Sequence, residues 1–400
     1  MAANSMSKEY QALVKALGRG ERGSRSLTLT ESHFLIRGFS QGVGTKTQLA
    51  AALMLMRVRG ETCEEVAGAA LGLKSTISEQ WSNLDVSIDW PCYAGKRELL
   101  PWLLLAAKVL ASQGERVLLH GDPRSLSHRN HIADHVEGLN IPKASNPEEA
   151  QLALDAVGIC YVDADSLSPL VAQFRELHQE LGLRSLFQVA IRCTNPANAP
   201  VSLRSYFHPG LDKMHIKVAK LMAQTYLDTR HLDNSFHGSS HDKPDSGFDT
   251  KTDSTEVNHA EQAFALMGKV GIFKGVQGET EINPRISTEL TITSRANSQV
   301  IHLPTRLEAF VGMNTLSSEL ALSSPQACLV LSQIWDQGET SDHQSGIHSK
   351  LSASVLTLAK LRQVAEASVI STLSAVYLLQ GKYGNVSAAE YSADQAWRMR

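Results

Sequence analysis

The chain has 400 residues, 42% hydrophobic and 6% aromatic, enough for two domains or for one large domain with a satellite. Its formal net charge of −3 excludes a polycation, so nucleic-acid binding would need a local basic patch. Five scattered cysteines without C-x-x-C spacing favour reduced thiols over a zinc site. With no apolar run of ~18 residues and no signal-peptide pattern, we expect a cytoplasmic protein without a membrane partner.

Residues 1–84 are predicted to form a small helical domain. Apolar residues recur at helical spacing in four segments, and glycines separate the segments. The predicted helices cover 9–17, 31–39 with Thr30 as N-cap, 47–59, and 61–73. We expect a later helix, 167–182, to pack on this domain.

Residues 85–400 are predicted to form an α/β domain, because strand-like and helix-like segments alternate. The predicted strands cover 86–89, 116–120, 158–162, 201–207, 270–273, 290–294 and 299–303. The predicted helices cover 99–112, 147–157, 167–181, 211–228, 326–335, 351–380 and 388–398. This alternation indicates a mostly parallel sheet with helices on its faces, and ligands of such sheets bind beyond the carboxyl ends of the strands.

Two polar stretches interrupt the α/β domain, at 230–259 and at 336–349, and both are predicted to be solvated loops. Histidines cluster around the first stretch, but without cysteine or fixed spacing they do not predict a metal site. These histidines are His215, His231, His237, His241 and His259.

Three loops should meet at the carboxyl rim of the sheet, and they carry most of the chemistry in the sequence. They follow the strands that end near Asp89, His120 and Phe273. The side chains and glycines concerned are Trp90, Pro91, Tyr93, Gly95, His120, Gly121, Asp122, Gly278, Glu279 and Glu281.

Several segments, in the same order along the chain, resemble the anthranilate phosphoribosyltransferase family, which has the family 3 glycosyltransferase fold. Leu53–Ala70 resembles the start of its helical domain, and 117–124 (VLLHGDPR) resembles its Lys-His-Gly-Asn-Arg loop. Residues 183–196 resemble its Arg-Thr-x-Phe-Asn … Asn-Pro segment, and 273–283 resemble its metal loop. The resemblance spans about residues 28–396 and implies a helical domain joined to an α/β domain.

The same resemblance implies that the site for phosphoribosyl pyrophosphate and Mg²⁺ has been lost. The family's glycine-rich pyrophosphate loop corresponds here to 90–95 (WPCYAG), where proline and bulky side chains replace bare backbone donors. Its Asn-x-Ser-Thr helix start corresponds to 101–104 (PWLL), and the lysine of its Lys-His-Gly-Asn-Arg loop corresponds to Leu119. In the metal loop Thr280 replaces an aspartate beside Glu281, and His178 replaces the arginine that binds the anthranilate carboxylate.

One branch of this family keeps the fold and the homodimer, and binds nucleic acid without sequence preference. Its pattern Lys-Gly-x-x-Gly-Glu-x-Glu-x-Asn-Pro is present here at 274–284. The resemblance to this branch implies a nonspecific nucleic-acid partner, a homodimer and no cofactor.

Six basic residues are the candidate contacts to phosphate. Lys213, Lys217 and Lys220 have i, i+4, i+7 spacing on one helix, so they form a stripe that can follow a nucleic-acid backbone. A solvated helix face is the alternative interpretation of this stripe. Lys269, Lys274 and Arg285 are expected to flank the metal loop and extend the stripe, and Lys96, Arg97 and Arg124 to lie on the same rim.

A second hypothesis keeps the chain as a glycosyl- or phosphoribosyltransferase with an unidentified acceptor. It assigns catalysis to His120, Arg124 and Glu281, with Mg²⁺ as cofactor. An open pocket lined by Glu281 and Arg124 would favour this hypothesis, whereas a continuous positive groove would favour nucleic-acid binding.

Overall fold

A computed structural model describes residues 2–20, 22–97, 100–124, 129–235, 268–294, 297–307, 324–336 and 355–400. Within these ranges, every helix is too short or too polar to cross a membrane. The larger part of the polar stretch 230–259, with His237, His241 and His259, lies outside the described residues. The same holds for all of the stretch 336–349 except its first residue.

The chain begins with the four predicted helices and a short fifth one, and threonine capping boxes set the starts of the second, third and fourth helices. The helices are α1 (Ala2–Gly18), α2 (Leu29–Ser40), α3 (Lys46–Arg59), α4 (Cys63–Lys74) and α5 (Glu79–Ser82). Thr28 caps α2 in a capping box with Glu31, so the prediction of Thr30 as the N-cap is wrong. A capping box needs Glu or Gln three residues after the cap, and only Thr28 has one.

Helix α4 is the centre of the helical unit because its small residues allow a close approach to α2. A Cβ atom at Gly68 would lie 2.2 Å from the Leu29 carbonyl oxygen, and one at Gly72 would lie 2.8 Å from Ile36 Cβ. The hydrophobic cluster around α4 extends to Phe174 on the later helix Leu170–Leu181.

Eight strands form one sheet, which confirms the predicted fold class of a helical domain followed by a mostly parallel α/β domain. The strands are β1 (Ile88–Pro91), β2 (Val117–Gly121), β3 (Lys143–Ala144), β4 (Ile159–Asp163), β5 (Val201–Tyr206), β6 (Lys269–Lys274), β7 (Thr288–Thr293) and β8 (Ser298–Leu303). Their order is β3-β4-β2-β1-β5-β6-β7-β8. All neighbours from β3 to β6 are parallel, and β7 and β8 join as antiparallel strands.

Helices cover both faces of the sheet. They are α6 (Leu103–Ser112), α7 (Pro147–Val157), α8 (Ala164–Leu167), α9 (Leu170–Leu181), α10 (Phe187–Ala190), α11 (Leu211–Ser235), α12 (Ser324–Trp335), α13 (Val355–Gln380) and α14 (Val386–Arg398). One cluster buries α6, α12, α13 and α14 against one face, and a second cluster buries α7 against the other. Helix α11 continues to Ser235, so the first residues of the predicted loop 230–259 are helical.

His215 is the one histidine of the predicted cluster whose surroundings are described, and it is a core residue. It lies on α11 and is 3% exposed, and burial, aided by Arg204 and Arg192, lowers its pKa to about 3. No group of three or more His, Cys, Asp or Glu side chains suited to a metal occurs in the described ranges. The burial of His215 therefore predicts an effect on stability.

The pH dependence of unfolding should report this burial. Below the ordinary histidine pKa near 6.5 the unfolded chain binds a proton that folded His215 does not, so stability falls as pH falls from about 6.5 towards 3. Between pH 6.5 and pH 5 this one group costs about 2 kcal/mol. In a His215→Leu variant, the free energy of unfolding measured with urea should fall less between pH 6.5 and pH 5, by about the amount that His215 contributes.

The exposed His302 on β8 provides the matched control, as a His302→Leu variant. We expect this control to keep the acid sensitivity of the natural chain. Identical pH profiles for His215→Leu and the natural chain would contradict the buried, neutral state of His215.

Candidate functional site

The carboxyl ends of β1, β2, β5 and β6 form one rim, and the predicted loops meet there. Cys92 N donates to the His120 carbonyl oxygen at 2.7 Å, which joins the loop after β1 to β2. Thr280 Oγ1 donates to the Pro91 carbonyl oxygen at 2.6 Å, and Trp90 Nε1 donates to the Thr280 carbonyl oxygen at 2.9 Å. Three loops that are distant in sequence are therefore held together by hydrogen bonds at the end of β1.

Lys96 and Glu281 form a buried ion pair at the centre of this rim. Lys96 Nζ lies 2.9 Å from Glu281 Oε1, and the two side chains are 0% and 1% exposed. The backbone of Lys96 is fixed by a two-way bridge to Asn130, with both N–H···O distances 2.8 Å. Lys96 was expected on this rim as a contact to nucleic acid, but its ammonium turns inward and neutralises a carboxylate that burial would otherwise leave uncompensated.

The same carboxylate occupies the start of helix α6. Leu103 N donates to Glu281 Oε2 at 2.9 Å, and Ser368 Oγ donates to Glu281 Oε1 at 3.1 Å. A helix N-terminus attracts anions through its free N–H groups. Here the anion at that position belongs to the chain itself.

Glu279 is likewise bound to backbone. Its Oε2 accepts from Gly95 N at 2.7 Å and its Oε1 accepts from Thr280 N at 3.2 Å. Burial raises the pKa of this carboxyl group, although Arg192 and Lys96 act in the opposite direction. Glu279 is therefore a poor ligand for an added cation.

These residues do not fit the Mg²⁺ that the resemblance implies for an active relative. A magnesium site needs oxygen ligands with free lone pairs and room for water. Glu281 is enclosed by an ammonium, a backbone amide and a hydroxyl group. The hydroxyl group of Thr280 donates to backbone.

His120 lies within β2, as the middle member of a buried chain of hydrogen bonds. Tyr93 Oη and His120 Nδ1 are 2.8 Å apart, and His120 Nε2 and Asp89 Oδ1 are 2.9 Å apart. Ser202 Oγ donates to the other Asp89 oxygen at 2.6 Å. Burial raises the pKa of the Tyr93 hydroxyl well above its ordinary value. These hydrogen bonds join β1, β2 and β5 beneath the rim, so a structural role accounts for the position of His120.

Asp122 and Arg124 connect the rim to the helical unit. Arg175 on α9 binds Asp122 with its Nε and Nη2 atoms at 2.9–3.2 Å, and also Asp165 at 2.6 Å. Arg124 forms a close ion pair with the same Asp165. Glu281 is buried against Lys96 and Arg124 is paired with Asp165, which does not match the open pocket lined by both residues that the transferase hypothesis expects.

Four arginines gather at the outer side of the rim, around a loop with unusual backbone geometry. Gln277 has φ +54° and Gly278 has φ +88°, conformations that ordinary side chains disfavour. Arg129 Nη1 donates to the Gln277 carbonyl oxygen at 3.1 Å, and Arg192 Nη1 donates to that of Gly278 at 3.4 Å. Arg97 N donates to Gln277 Oε1 at 2.9 Å.

The arginines are close enough to affect one another. Burial, followed by the charges of Arg97 and Arg184, lowers the pKa of Arg129. Arg97 and Arg184 are exposed, whereas Arg129 and Arg192 are half-buried. We call Arg97, Arg129, Arg184 and Arg192 the rim arginines. Of the four, only Arg97 was predicted to lie on this rim, because the other three come from segments that no motif links to it.

The six predicted basic contacts are not brought together as one stripe. Lys217 is exposed but pairs with Glu64 at 2.8 Å. Lys269 begins β6 and Lys274 ends it, so Lys269 lies at the opposite edge of the sheet and does not flank the loop. Lys274 is exposed at the rim beside Tyr206, and Lys213 is exposed in the first turn of α11. Lys220 and Arg285 are half-buried.

Comparison with known proteins indicates the class of protein that this chain resembles. Residues 11–76 match the helical bundle domain of the glycosyl transferase family. Anthranilate phosphoribosyltransferase of Thiobacillus denitrificans is 30% identical over 199 residues, 49% of this chain and 58% of the relative. That of Shouchella clausii is 32% identical over 180 residues, 44% of this chain and 52% of the relative. The chain thus spans little more than half the length of these relatives.

Solved structures match over almost the whole chain. The anthranilate phosphoribosyltransferase of Thermus thermophilus has a TM-score of 0.64 at 19% identity, covering 96% of this chain and 94% of its own. The Saccharomyces cerevisiae enzyme in complex with phosphoribosyl pyrophosphate and Mg has a TM-score of 0.62 at 14% identity, covering 98% and 93%. The chain therefore has the fold of the anthranilate phosphoribosyltransferases and carries the helical bundle domain of the glycosyl transferase family.

Breaking the central ion pair should destabilise the fold strongly. A Lys96→Met or Glu281→Gln variant leaves one buried partner without its counterpart, which typically costs about 3–5 kcal/mol. The double variant should lose less than the sum of the two single losses, because neither charge then remains. Denaturant unfolding of the four chains measures these differences.

Lys46→Met is the matched control, because Lys46 makes exposed ion pairs with Glu176 and Glu180. Its unfolding midpoint should stay close to that of the natural chain. If the unfolding midpoint of Lys96→Met shifts as little as that of Lys46→Met, the buried pair does not hold the rim together.

Proposed function

We propose that this chain is a cytoplasmic, sequence-independent DNA- and RNA-binding protein on the fold of the anthranilate phosphoribosyltransferases, with a degraded site for phosphoribosyl pyrophosphate and Mg²⁺. The observation that carries the proposal is the arrangement of charge at the rim. The inner anion position is filled by Glu281, while positive charge gathers outside it. A site built this way attracts phosphate from outside, while its inner anion position is already taken by a carboxylate of the chain.

The rim arginines support phosphate contacts because guanidinium groups bind phosphate oxygens well and remain charged. Their mutual repulsion raises the free energy of the unliganded rim, and a polyanion would relieve it. Burial lowers the pKa of Arg192 and the nearby Glu279 carboxylate acts in the opposite direction, so Glu279 offsets part of the charge of that one arginine. The same carboxylate accepts a hydrogen bond from Gly95 N. Lys274 and Lys213 extend the basic surface from the same edge of the sheet.

Direct reading of base sequence is not part of the proposal. Contacts to phosphate hold a nucleic acid in place without identifying its bases. The described structure presents loops and a sheet edge at the rim, with backbone-bonded arginines, and no exposed recognition helix aligned on it. A homodimer, as in the resembling branch, would double the basic surface and could join two rims into one groove.

Transfer of a phosphoribosyl or other glycosyl group to an unidentified acceptor is the competing function. The names of the relatives favour it, and so does the presence of His120, Arg124 and Glu281. The burial of Glu281 under Lys96 weighs against it, as do the engagement of Arg124 by Asp165 and the structural bonding of His120.

Binding measured against salt tests the proposal. Fluorescence anisotropy with labelled DNA and RNA should show tight binding at low salt, with a log–log slope of about −0.7 for each phosphate neutralised on a single strand. An Arg129→Gln variant should lower affinity for every sequence alike and reduce the slope by roughly one contact. Lys269→Gln removes a charge at the opposite edge and should change neither quantity.

Calorimetry with phosphoribosyl pyrophosphate and Mg²⁺ separates the two functions. The natural chain should give no binding heat at millimolar ligand. Heat in this titration, together with no anisotropy change at low salt, would reverse the assignment in favour of the transferase.

A further inference from the structure

An exposed aromatic side chain lies beside the rim arginines. Phe207 directly follows β5 and is 46% exposed, the only phenylalanine among the exposed large hydrophobic side chains of the described residues. A Cβ atom at Gly278 would lie 3.6 Å from Phe207 Cβ, so the ring borders the strained loop. That loop is the one to which Arg129 and Arg192 are bonded.

The ring is held in place from one side. His208 meets it edge-on, with ring centroids 5.0 Å apart and an interplanar angle of 83°. Lys274 ends the neighbouring strand, in register with Tyr206. The partly exposed ring of Phe207 thus lies beside the loop that Arg129 and Arg192 bind, at the end of β5 and next to the strand that ends in the exposed Lys274.

We propose that Phe207 and the rim arginines form a single-strand subsite, in which one nucleobase stacks on the Phe207 ring while adjacent phosphates contact the guanidinium groups. This inference rests on the proposed function and adds the class of nucleic acid. In a duplex both faces of a base are stacked on its neighbours and one edge is paired, so no face is free for a protein ring. A single strand can offer a free face at every nucleotide. Stacking is tolerant of sequence, which agrees with nonspecific binding.

The loop geometry fits this role. Gln277 in a left-handed conformation costs free energy, and such costs persist where the surrounding structure fixes them. In the strained turn, the carbonyl oxygen of Gln277 accepts a hydrogen bond from Arg129 and that of Gly278 accepts one from Arg192. Each of these guanidinium groups has further N–H donors, so one strained loop fixes two arginines beside the ring.

A Phe207→Leu variant tests the inference in the full-length chain. It keeps an apolar side chain and all charges but removes the stacking face. Affinity for a labelled oligothymidylate should fall by about 10-fold, while affinity for a hairpin duplex of equal length and the salt slope stay unchanged. Tyr391→Leu, at an exposed aromatic on α14, is the control and should alter neither affinity.

A Phe207→Trp variant supplies a spectroscopic readout that a merely structural role would not produce. Its additional fluorescence should be quenched on saturation with oligothymidylate and not with the duplex, because a stacked base quenches indole emission. Restored single-strand affinity in this variant would agree with stacking.

Three outcomes distinguish the possibilities. Loss of affinity for the single strand alone supports the subsite. Unchanged affinity for both nucleic acids in Phe207→Leu, or an equal loss for both, overturns the subsite and leaves nonspecific binding intact. Failure of the natural chain to bind either one at low salt overturns the proposed function and the subsite together.

Discussion

The buried ion pair between Lys96 and Glu281 determines what this fold can hold. A carboxylate that is 1% exposed must be neutralised, and the chain supplies the neutralising charge from its own loop at 2.9 Å. The backbone amide of Leu103, at the start of α6, binds the same carboxylate. The helix terminus that could bind an anion is therefore occupied by Glu281, the residue that could have bound a metal. No small anion is required to complete the site.

This internal neutralisation explains why positive charge lies farther out. Lys96 is consumed by Glu281, so the charge available to a ligand comes from the rim arginines and Lys274. The rim arginines and Lys274 lie on segments that are held by hydrogen bonds among β1, β5 and β6. These hydrogen bonds include the ones that Thr280 makes with Pro91 and with Ser205. A rigid edge bearing guanidinium groups and one exposed ring suits a flexible polyanion better than a compact substrate, because a strand can adjust to fixed contacts.

The sequence predicted the fold well because its signals are local and periodic. Helix α7 was predicted at its observed bounds, and the structure shows Asn146 as its cap and Pro147 at its first position. The cap of α2 is Thr28 and not Thr30, because Glu31 lies three residues after Thr28 and completes a capping box, whereas His33 lies three residues after Thr30. The proposal that the diphosphate loop is lost could be made from Trp90 and Pro91, since tryptophan fills the room that an anion needs and proline lacks a backbone donor. The inward turn of Lys96 could not, because it depends on Glu281, 185 positions away, and on the tertiary bridge to Asn130. The rim arginines share no motif, and only the packing of the helical unit on the sheet brings Arg184 near Arg129.

A crystal structure of the chain grown with excess Mn²⁺ and phosphoribosyl pyrophosphate tests the central claim most directly, since manganese gives an anomalous signal and replaces Mg²⁺ at oxygen sites. The account predicts Lys96 Nζ within hydrogen-bond distance of Glu281 and no anomalous peak on that carboxylate. Manganese bound to Glu281, with Lys96 displaced and a diphosphate at the start of α6, would contradict it.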